Sequence, residues 1–143
     1  MSGSTAERVW DNERPKPAID AVSAPYWESL RAHAARFQRC DECSKFMFPP
    51  AMHCPHCLSS ALTWTPVSGK GTVYSCVTVN HPPAPEFAKD VPYNVALVDL
   101  DEGVRVWTNV VGIDPQAVKG GMAVQAQYDE VAADLTLLRF RPR

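Results

Sequence analysis

Residues 39–57 read RCDECSKFMFPPAMHCPHC, a run in which two C-x2-C pairs are separated by ten residues. Two residues between cysteines let both sulfurs turn toward one ion, and two such pairs supply the four thiolates that zinc prefers in closed tetrahedral sites. An iron centre of rubredoxin type uses the same geometry and is the main alternative, and a redox disulfide pair is a more distant one. The spacing therefore predicts one structural zinc ion on four ligands: Cys40, Cys43, Cys54 and Cys57.

The four-cysteine pattern also limits what the ion can do. Four sulfurs fill the coordination shell and leave no position for water or substrate, so we expect no Lewis-acid role. His53 and His56 lie beside the ligands and are expected to be exposed neighbours of the site. Metal binding contributes on the order of 10 kcal/mol to a module too small to fold by apolar burial alone. Loss of the ion should therefore loosen this ribbon more than the rest of the chain.

The segment before the cysteines predicts an amphipathic helix. Ser23 is suited to the N-cap and Pro25 to the first turn. Such a helix normally covers the core of its own protein, and a helix that docks on a partner is the alternative. Apolar residues recur here at spacings of three and four, which is typical of one helical face: Trp27, Leu30, Ala34 and Phe37.

Downstream of Gly69 the pattern changes to strands. Residues 71–80 are rich in β-branched side chains, and we place Val73, Val77 and Val79 on one face. Five short strands with an apolar face predict a mainly β fold that ends in a small barrel with the strand count of an OB-fold, although spacing alone also allows a small sandwich. The other four predicted strands are residues 93–100, 104–111, 122–128 and 135–140.

The chain divides into three predicted parts: a tail and docking helix over residues 1–38, a zinc ribbon over 39–66 and an OB-fold over 67–143. The polar tail is expected to be loosely attached, and its Trp10 to dock on this protein or on a partner. No apolar run is long enough to span a membrane, and the first residues lack the apolar centre of a signal peptide. We therefore expect a cytoplasmic protein without a membrane partner, whose thiols stay reduced.

Sequence motifs for catalysis and for nucleic-acid binding are missing. The chain of 143 residues has 14 Lys and Arg against 16 Asp and Glu, and it contains no phosphate-binding loop or G-x-S-x-G element. The two loops that bind single strands in OB-folds are predicted over residues 81–92 and 129–134, and both are acidic, which disfavours phosphate contact. Cys76 lies mid-strand and is interpreted as a structural thiol rather than a nucleophile.

The sequence as a whole resembles a known family, the zinc-ribbon/OB-fold proteins of acyl-CoA metabolism once catalogued as domain of unknown function thirty-five. The resemblance covers about residues 25–124, and Ser44 departs from it because the family commonly has glycine after the second cysteine. Besides the four cysteines, the matching elements are Tyr26-Trp27, Phe48-Pro49-Pro50, Trp64, SGKGTVYS at 68–75, VPY at 91–93, VALV at 95–98, LDEGVR at 100–105 and GMAV at 121–124.

The resemblance implies an N-terminal helical segment, a rubredoxin-like zinc ribbon and a C-terminal OB-fold. It also implies a non-catalytic accessory subunit, in a hetero-oligomer with a thiolase-like enzyme that makes or breaks carbon–carbon bonds on acyl-CoA esters by thiolysis, acyl transfer or retro-aldol cleavage. The pathway would degrade a sterol, an aromatic compound or a similar carbon skeleton. The partner would carry the nucleophile and bases, and the small subunit would support the assembly and the acyl-CoA site.

Two alternatives to this function stay open. One is a stand-alone acyl-CoA binder in which basic side chains meet the CoA phosphates, and the other is an OB-type binder of single-stranded nucleic acid. Aromatic anchors dominate interfaces, and proline-rich loops present preformed surfaces. The candidate residues for contact with a partner or with acyl-CoA are Trp27, Arg31, Arg36, Phe48, Pro82, Pro83 and Trp107, with Arg39 and Lys45 as further phosphate candidates.

Overall fold

The computed structural model describes residues 15–143. The predicted docking of Trp10, and the tail up to residue 14, lie outside the described residues. Within residues 15–143, no helix has the length and apolar character needed to cross a bilayer.

Among residues 15–143, one α-helix, α1 (Ala24–Arg31), precedes the cysteines. Ser23 is its N-cap, as predicted, but the Ser23 side chain makes no capping bond, and its hydroxyl accepts a hydrogen bond from the Asp20 amide. The predicted apolar stripe is partly wrong, because the helix ends at Arg31 and His33 turns the chain with φ of 56°. Ala34 is therefore exposed and Phe37 lies in a strand. The buried positions of the helix are Tyr26, Ser29 and Leu30.

The ribbon is a small antiparallel sheet of β1 (Arg36–Cys40), β2 (Phe46–Met47) and β3 (Leu62–Pro66), in the order β2-β1-β3. Gln38 of β1 lies opposite Met47, and Cys40 lies opposite Leu62. The first ligand cysteine is thus the last residue of the central strand. The first cysteine turn is therefore attached to a backbone that strand hydrogen bonds already order.

The rest of the described chain forms a curled antiparallel sheet in the order β6-β5-β4-β7-β8. Beyond β6, a parallel bridge pairs Val110 with Phe140, and Val111 N donates to Phe140 O at 2.7 Å. This bridge brings the two sheet edges together, so the prediction of a zinc ribbon followed by a five-stranded OB-fold is confirmed. The strands are β4 (Lys70–Val79), β5 (Tyr93–Leu100), β6 (Arg105–Thr108), β7 (Ala123–Ala132) and β8 (Leu135–Pro142).

A β-bulge in β4 corrects the predicted face of that strand. Val73 pairs with Val98, but the next pair is Ser75 with Leu97, so Tyr74 is the extra residue. One extra residue shifts the alternation by one, and side chains after it point to the opposite face. Val73 is therefore buried whereas Val77 is 62% exposed, and the two do not share a face as predicted.

The helix, the ribbon and the barrel share one apolar core. Tyr26 and Phe37 belong to the same buried cluster as Val98 and Phe140 of the barrel. Burying each such side chain contributes about 1.5–3 kcal/mol, so the parts stabilise one another. The predicted division at residues 38 and 66 stays a prediction.

Candidate metal centre and aromatic groove

The four cysteine sulfurs converge on one point. The Sγ atoms lie within 4.8 Å of one another, with 3.5 Å between Cys40 and Cys57 and 3.6 Å between Cys43 and Cys54. A zinc–sulfur bond of about 2.3 Å requires sulfurs about 3.8 Å apart at the corners of a tetrahedron, so the set fits the ion with little adjustment. The four cysteines predicted as zinc ligands are therefore the residues whose sulfurs the structure brings together.

Two similar turns position the ligands. Ser44 N donates to Cys40 O at 2.9 Å in the first turn, and Leu58 N donates to Cys54 O at 2.8 Å in the second. Ser44 and Leu58 adopt left-handed backbone conformations, with φ of 67° and 68°. Glycine is the usual residue at such positions, yet Ser44 adopts the conformation without it, so the departure from the family pattern does not change the turn.

Backbone N–H groups point at the sulfurs and favour thiolates. The Cys43 amide donates to Cys40 Sγ and lowers the pKa of that thiol to about 7. The Ser59 amide lowers the pKa of Cys57, but the contacts with Cys40, Cys43 and Cys54, together with partial desolvation, outweigh it and raise the pKa to about 12. Without a cation, the four thiols therefore do not all ionise together near neutral pH. A divalent ion removes this conflict, as expected for zinc bound to four thiolates.

The inner half of the site is buried and held by hydrogen bonds. Cys40 and Cys54 are fully buried, and Met47 packs against them. The Gln38 side chain donates to Ala51 O and accepts from Ala51 N, both at 2.9 Å, which ties the central strand to the loop between the turns. These contacts hold the two cysteine turns together around the metal site.

The zinc site is structural. Among residues 15–143 the cluster contains the four cysteines alone, and His53 and His56 are exposed beside it. Four protein ligands leave no coordination position for substrate. Elsewhere, Cys76 is half-buried and its Sγ donates to Val118 O at 3.1 Å, which agrees with its interpretation as a structural thiol.

A second feature is an open groove of about 230 Å³ where α1, the ribbon and the barrel meet. It brings together three predicted contact residues, Trp27, Phe48 and Trp107. Trp107 is 70% exposed, although Trp side chains normally bury most of their area. The groove is lined by Tyr26, Trp27, Phe48, Trp107, Thr108, Asn109, Leu137, Leu138 and Arg139.

The other predicted contact residues lie outside this groove. Arg31 ends α1 and Arg36 begins β1, and both side chains are exposed. Pro82 and Pro83 are exposed in the loop between β4 and β5. Of the further phosphate candidates, Arg39 is half-buried and Lys45 is exposed. Their roles in contact stay predictions.

Sequence reasoning missed a half-buried ion pair beside the groove. Arg139 Nη1 lies 3.0 Å from Asp129 Oδ2, and the two side chains are only 14% and 10% exposed. We predicted Asp129 in an acidic loop over residues 129–134, which is wrong because β7 continues to Ala132. The charge of Asp129 is therefore compensated and is not part of a repulsive loop. The sequence signal for this ion pair was Arg139, a charged residue between Leu138 and Phe140 in an apolar strand.

The chain is similar to known proteins over most of its length. The rubredoxin-like zinc ribbon domain of ChsH2 matches residues 27–63, and the C-terminal OB-fold domain of ChsH2 matches residues 64–129. A DUF35 domain-containing scaffold protein of Pyrococcus furiosus is 32% identical over 123 residues, which cover 82% of this chain and 90% of the relative.

Other relatives carry enzyme names. A probable enoyl-CoA hydratase alpha subunit of Thermomonospora curvata is 42% identical over 90% of this chain, but the chain spans only 40% of its length. The benzoylsuccinyl-CoA thiolase subunit BbsA of Thauera aromatica is 29% identical over 71% of this chain and 72% of the relative.

Among solved structures, a chain of the Ltp2-ChsH2(DUF35) aldolase superposes with a TM-score of 0.79 at 41% identity. The match covers 89% of this chain and 98% of that chain.

Proposed function

Since this chain belongs to the DUF35 family of zinc-ribbon/OB-fold proteins, we propose that it is an accessory subunit of a thiolase-like enzyme that acts on acyl-CoA esters. The partner carries the nucleophile and the bases, and forms or cleaves a carbon–carbon bond. This chain supports the assembly and the neighbourhood of the acyl-CoA site. The observation that carries the proposal is the match to 98% of one chain of the Ltp2-ChsH2(DUF35) aldolase.

The chemistry of the described site favours a structural role within an assembly over a catalytic one. Zinc with four thiolate ligands offers no coordination position to a carbonyl group or a water molecule. The remaining thiol, Cys76, donates a hydrogen bond to the backbone carbonyl of Val118. The groove, in contrast, presents an exposed Trp and a half-buried Trp at the junction of all three parts of the chain. Such aromatic residues are typical of protein interfaces.

The names of the relatives suggest the substrate class. A hydratase subunit, a thiolase subunit and an aldolase all occur among them, and two of those names specify CoA esters. Thiolysis and retro-aldol cleavage both shorten a CoA-activated carbon skeleton, so the proposal includes the degradation of lipids or aromatic compounds. It also includes a cytoplasmic location, where thiols remain reduced and bind zinc, and assembly as a hetero-oligomer.

The test is co-expression of this chain with each thiolase-like protein encoded in the same genome. We expect one of them to co-purify in a fixed ratio, and the complex to cleave or form a carbon–carbon bond on acyl-CoA esters. The large subunit expressed alone should be inactive or insoluble. A large subunit that is fully active and soluble without this chain would contradict the proposal, and so would turnover of acyl-CoA by this chain in isolation.

A control separates support of the assembly from general folding defects. Cys54→Ser removes one buried zinc ligand and should impair both zinc content and complex formation. Cys76→Ser removes a thiol of the barrel and should retain both. The alternative, a stand-alone acyl-CoA-binding protein, is tested by calorimetry with the isolated chain and octanoyl-CoA. It requires a micromolar Kd, and no binding would exclude it.

A further inference from the structure

We propose that the groove between α1, the ribbon and the barrel receives one large uncharged side chain, aromatic or branched aliphatic, that projects from the large subunit. This inference rests on the proposed function and specifies the surface through which it operates.

The size of the groove excludes most of an acyl-CoA molecule. Pockets that bury a drug-sized ligand usually measure about 300–1,000 Å³, and this one measures about 230 Å³. The apolar walls come from separate elements, with Trp27 from α1, Phe48 from the ribbon and Leu138 from β8. Such a groove suits one inserted side chain rather than an extended ligand.

The charge of the lining favours an uncharged occupant. Arg139 is the charged residue among the lining residues, and its guanidinium group is paired with Asp129 at 3.0 Å. Asp129 also accepts a hydrogen bond from Gln127 Nε2 at 2.8 Å, so the pair is fixed in place. A CoA phosphate or a partner carboxylate would have to compete with Asp129 for this cation. An apolar side chain meets no such penalty.

Trp107 is the wall that an occupant would cover. It lies on the edge strand β6 opposite Leu97, and it is 70% exposed in the free chain. Large aromatic side chains in contact with a partner carry a disproportionate share of binding energy when water is excluded from them. In the free chain, Trp107 is therefore exposed and available to contribute binding energy when a partner covers it.

The test compares groove variants in the complex formed with the large subunit identified by co-expression. Trp107→Ala removes the exposed wall, and Leu137→Trp fills the groove from β8 without removing an aromatic residue. Tyr74→Ala is the matched control, because Tyr74 is also an exposed aromatic residue of the barrel, at 56%, and does not line the groove. Zinc content and melting temperature establish that each variant is folded.

We expect both groove variants to raise the Kd of the complex about tenfold or more, and Tyr74→Ala to change it less than about threefold. If the wild-type complex forms and both folded groove variants bind as tightly as wild type, the groove proposal fails while the proposed function stands. If no complex forms with any thiolase-like protein, both fail. Should one groove variant misfold, the other alone decides.

Two other occupants would overturn the proposal by different readouts. Calorimetric binding of micromolar octanoyl-CoA to the isolated chain, lost in Leu137→Trp, would assign the groove to an acyl chain. A dimer of the isolated chain in analytical ultracentrifugation, converted to a monomer by Trp107→Ala, would assign it to a second copy.

Discussion

The Asn94 side chain is hydrogen-bonded to the backbone of Val110 at both of its polar atoms. Asn94 Nδ2 donates to Val110 O at 2.6 Å, and Val110 N donates to Asn94 Oδ1 at 2.8 Å. Both residues are buried. The side chain thus replaces the strand pairing that ends at Thr108, and it holds Val110 where it bridges to Phe140 and closes the barrel.

We therefore expect Asn94→Ala to destabilise the protein by about 2–4 kcal/mol. The substitution leaves a buried N–H and a buried C=O of Val110 without partners, and each such group costs about 1–3 kcal/mol. Urea unfolding followed by circular dichroism measures the change. Thr72→Ala, an exposed position in the same barrel, serves as the control and should change stability by less than about 0.5 kcal/mol. An Asn94→Ala variant as stable as wild type would contradict the role given to this side chain.

Leu58→Gly should stabilise the isolated chain by about 0.5–1 kcal/mol. Leu58 has φ of 68° and is 75% exposed. Its Cβ atom is therefore strained by the left-handed backbone, and its side chain buries little apolar area in return. Glycine removes the penalty of about 1–2 kcal/mol, although part of the gain is lost to the greater entropy of the unfolded chain. Thermal unfolding of the zinc-loaded protein measures the difference.

Two variants test the cause of this stabilisation. Leu58→Ala retains a Cβ atom in the left-handed conformation and should not stabilise the protein. Ser44→Gly removes the same strain in the other cysteine turn and should stabilise the protein by a similar amount. If Leu58→Ala stabilises as much as Leu58→Gly, then the exposed apolar side chain, and not the backbone, is responsible.

The local parts of the fold were predictable, because each depends on residues close together in the sequence. Cysteine spacing was sufficient to predict which four sulfurs lie together, and alternation was sufficient to predict strands such as Tyr93–Leu100. The missed features depend on distant partners. The bulge at Tyr74 is visible only in the pairing of β4 with β5, and barrel closure depends on Asn94 reaching Val110.

The same distinction applies to the candidate site. Trp27, Phe48 and Trp107 were chosen because they are large aromatic residues, but they are up to 80 positions apart in the sequence. Only the packing of the helix, the ribbon and the barrel around one core shows that they line one groove. The ion pair between Arg139 and Asp129 was missed for the related reason that strand β7 continues beyond the predicted boundary.

Removal of zinc should loosen the ribbon before the barrel. A chelator strong enough to strip four thiolates leaves close sulfurs that do not all ionise and a small sheet with little apolar core of its own. Amide hydrogen exchange should therefore rise in β1 and β3 by at least about tenfold, with a much smaller change in β5. Re-addition of zinc should restore protection. Equal loss of protection in all three strands would show that the ribbon and the barrel unfold together.

Breaking the ion pair beside the groove should destabilise the protein, and removing both charges should not. Asp129→Asn leaves the Arg139 charge largely buried without its counter-ion, which costs about 3–5 kcal/mol for such pairs. Nε of Arg139 already lacks a hydrogen-bond partner among the described residues, so the guanidinium group has little other compensation. The double variant Asp129→Leu with Arg139→Met replaces the pair by apolar side chains and should be within about 1 kcal/mol of wild type. Urea unfolding of Asp129→Leu, Arg139→Met and the double variant forms a thermodynamic cycle. Additivity of the two single effects would show that the two side chains do not stabilise each other.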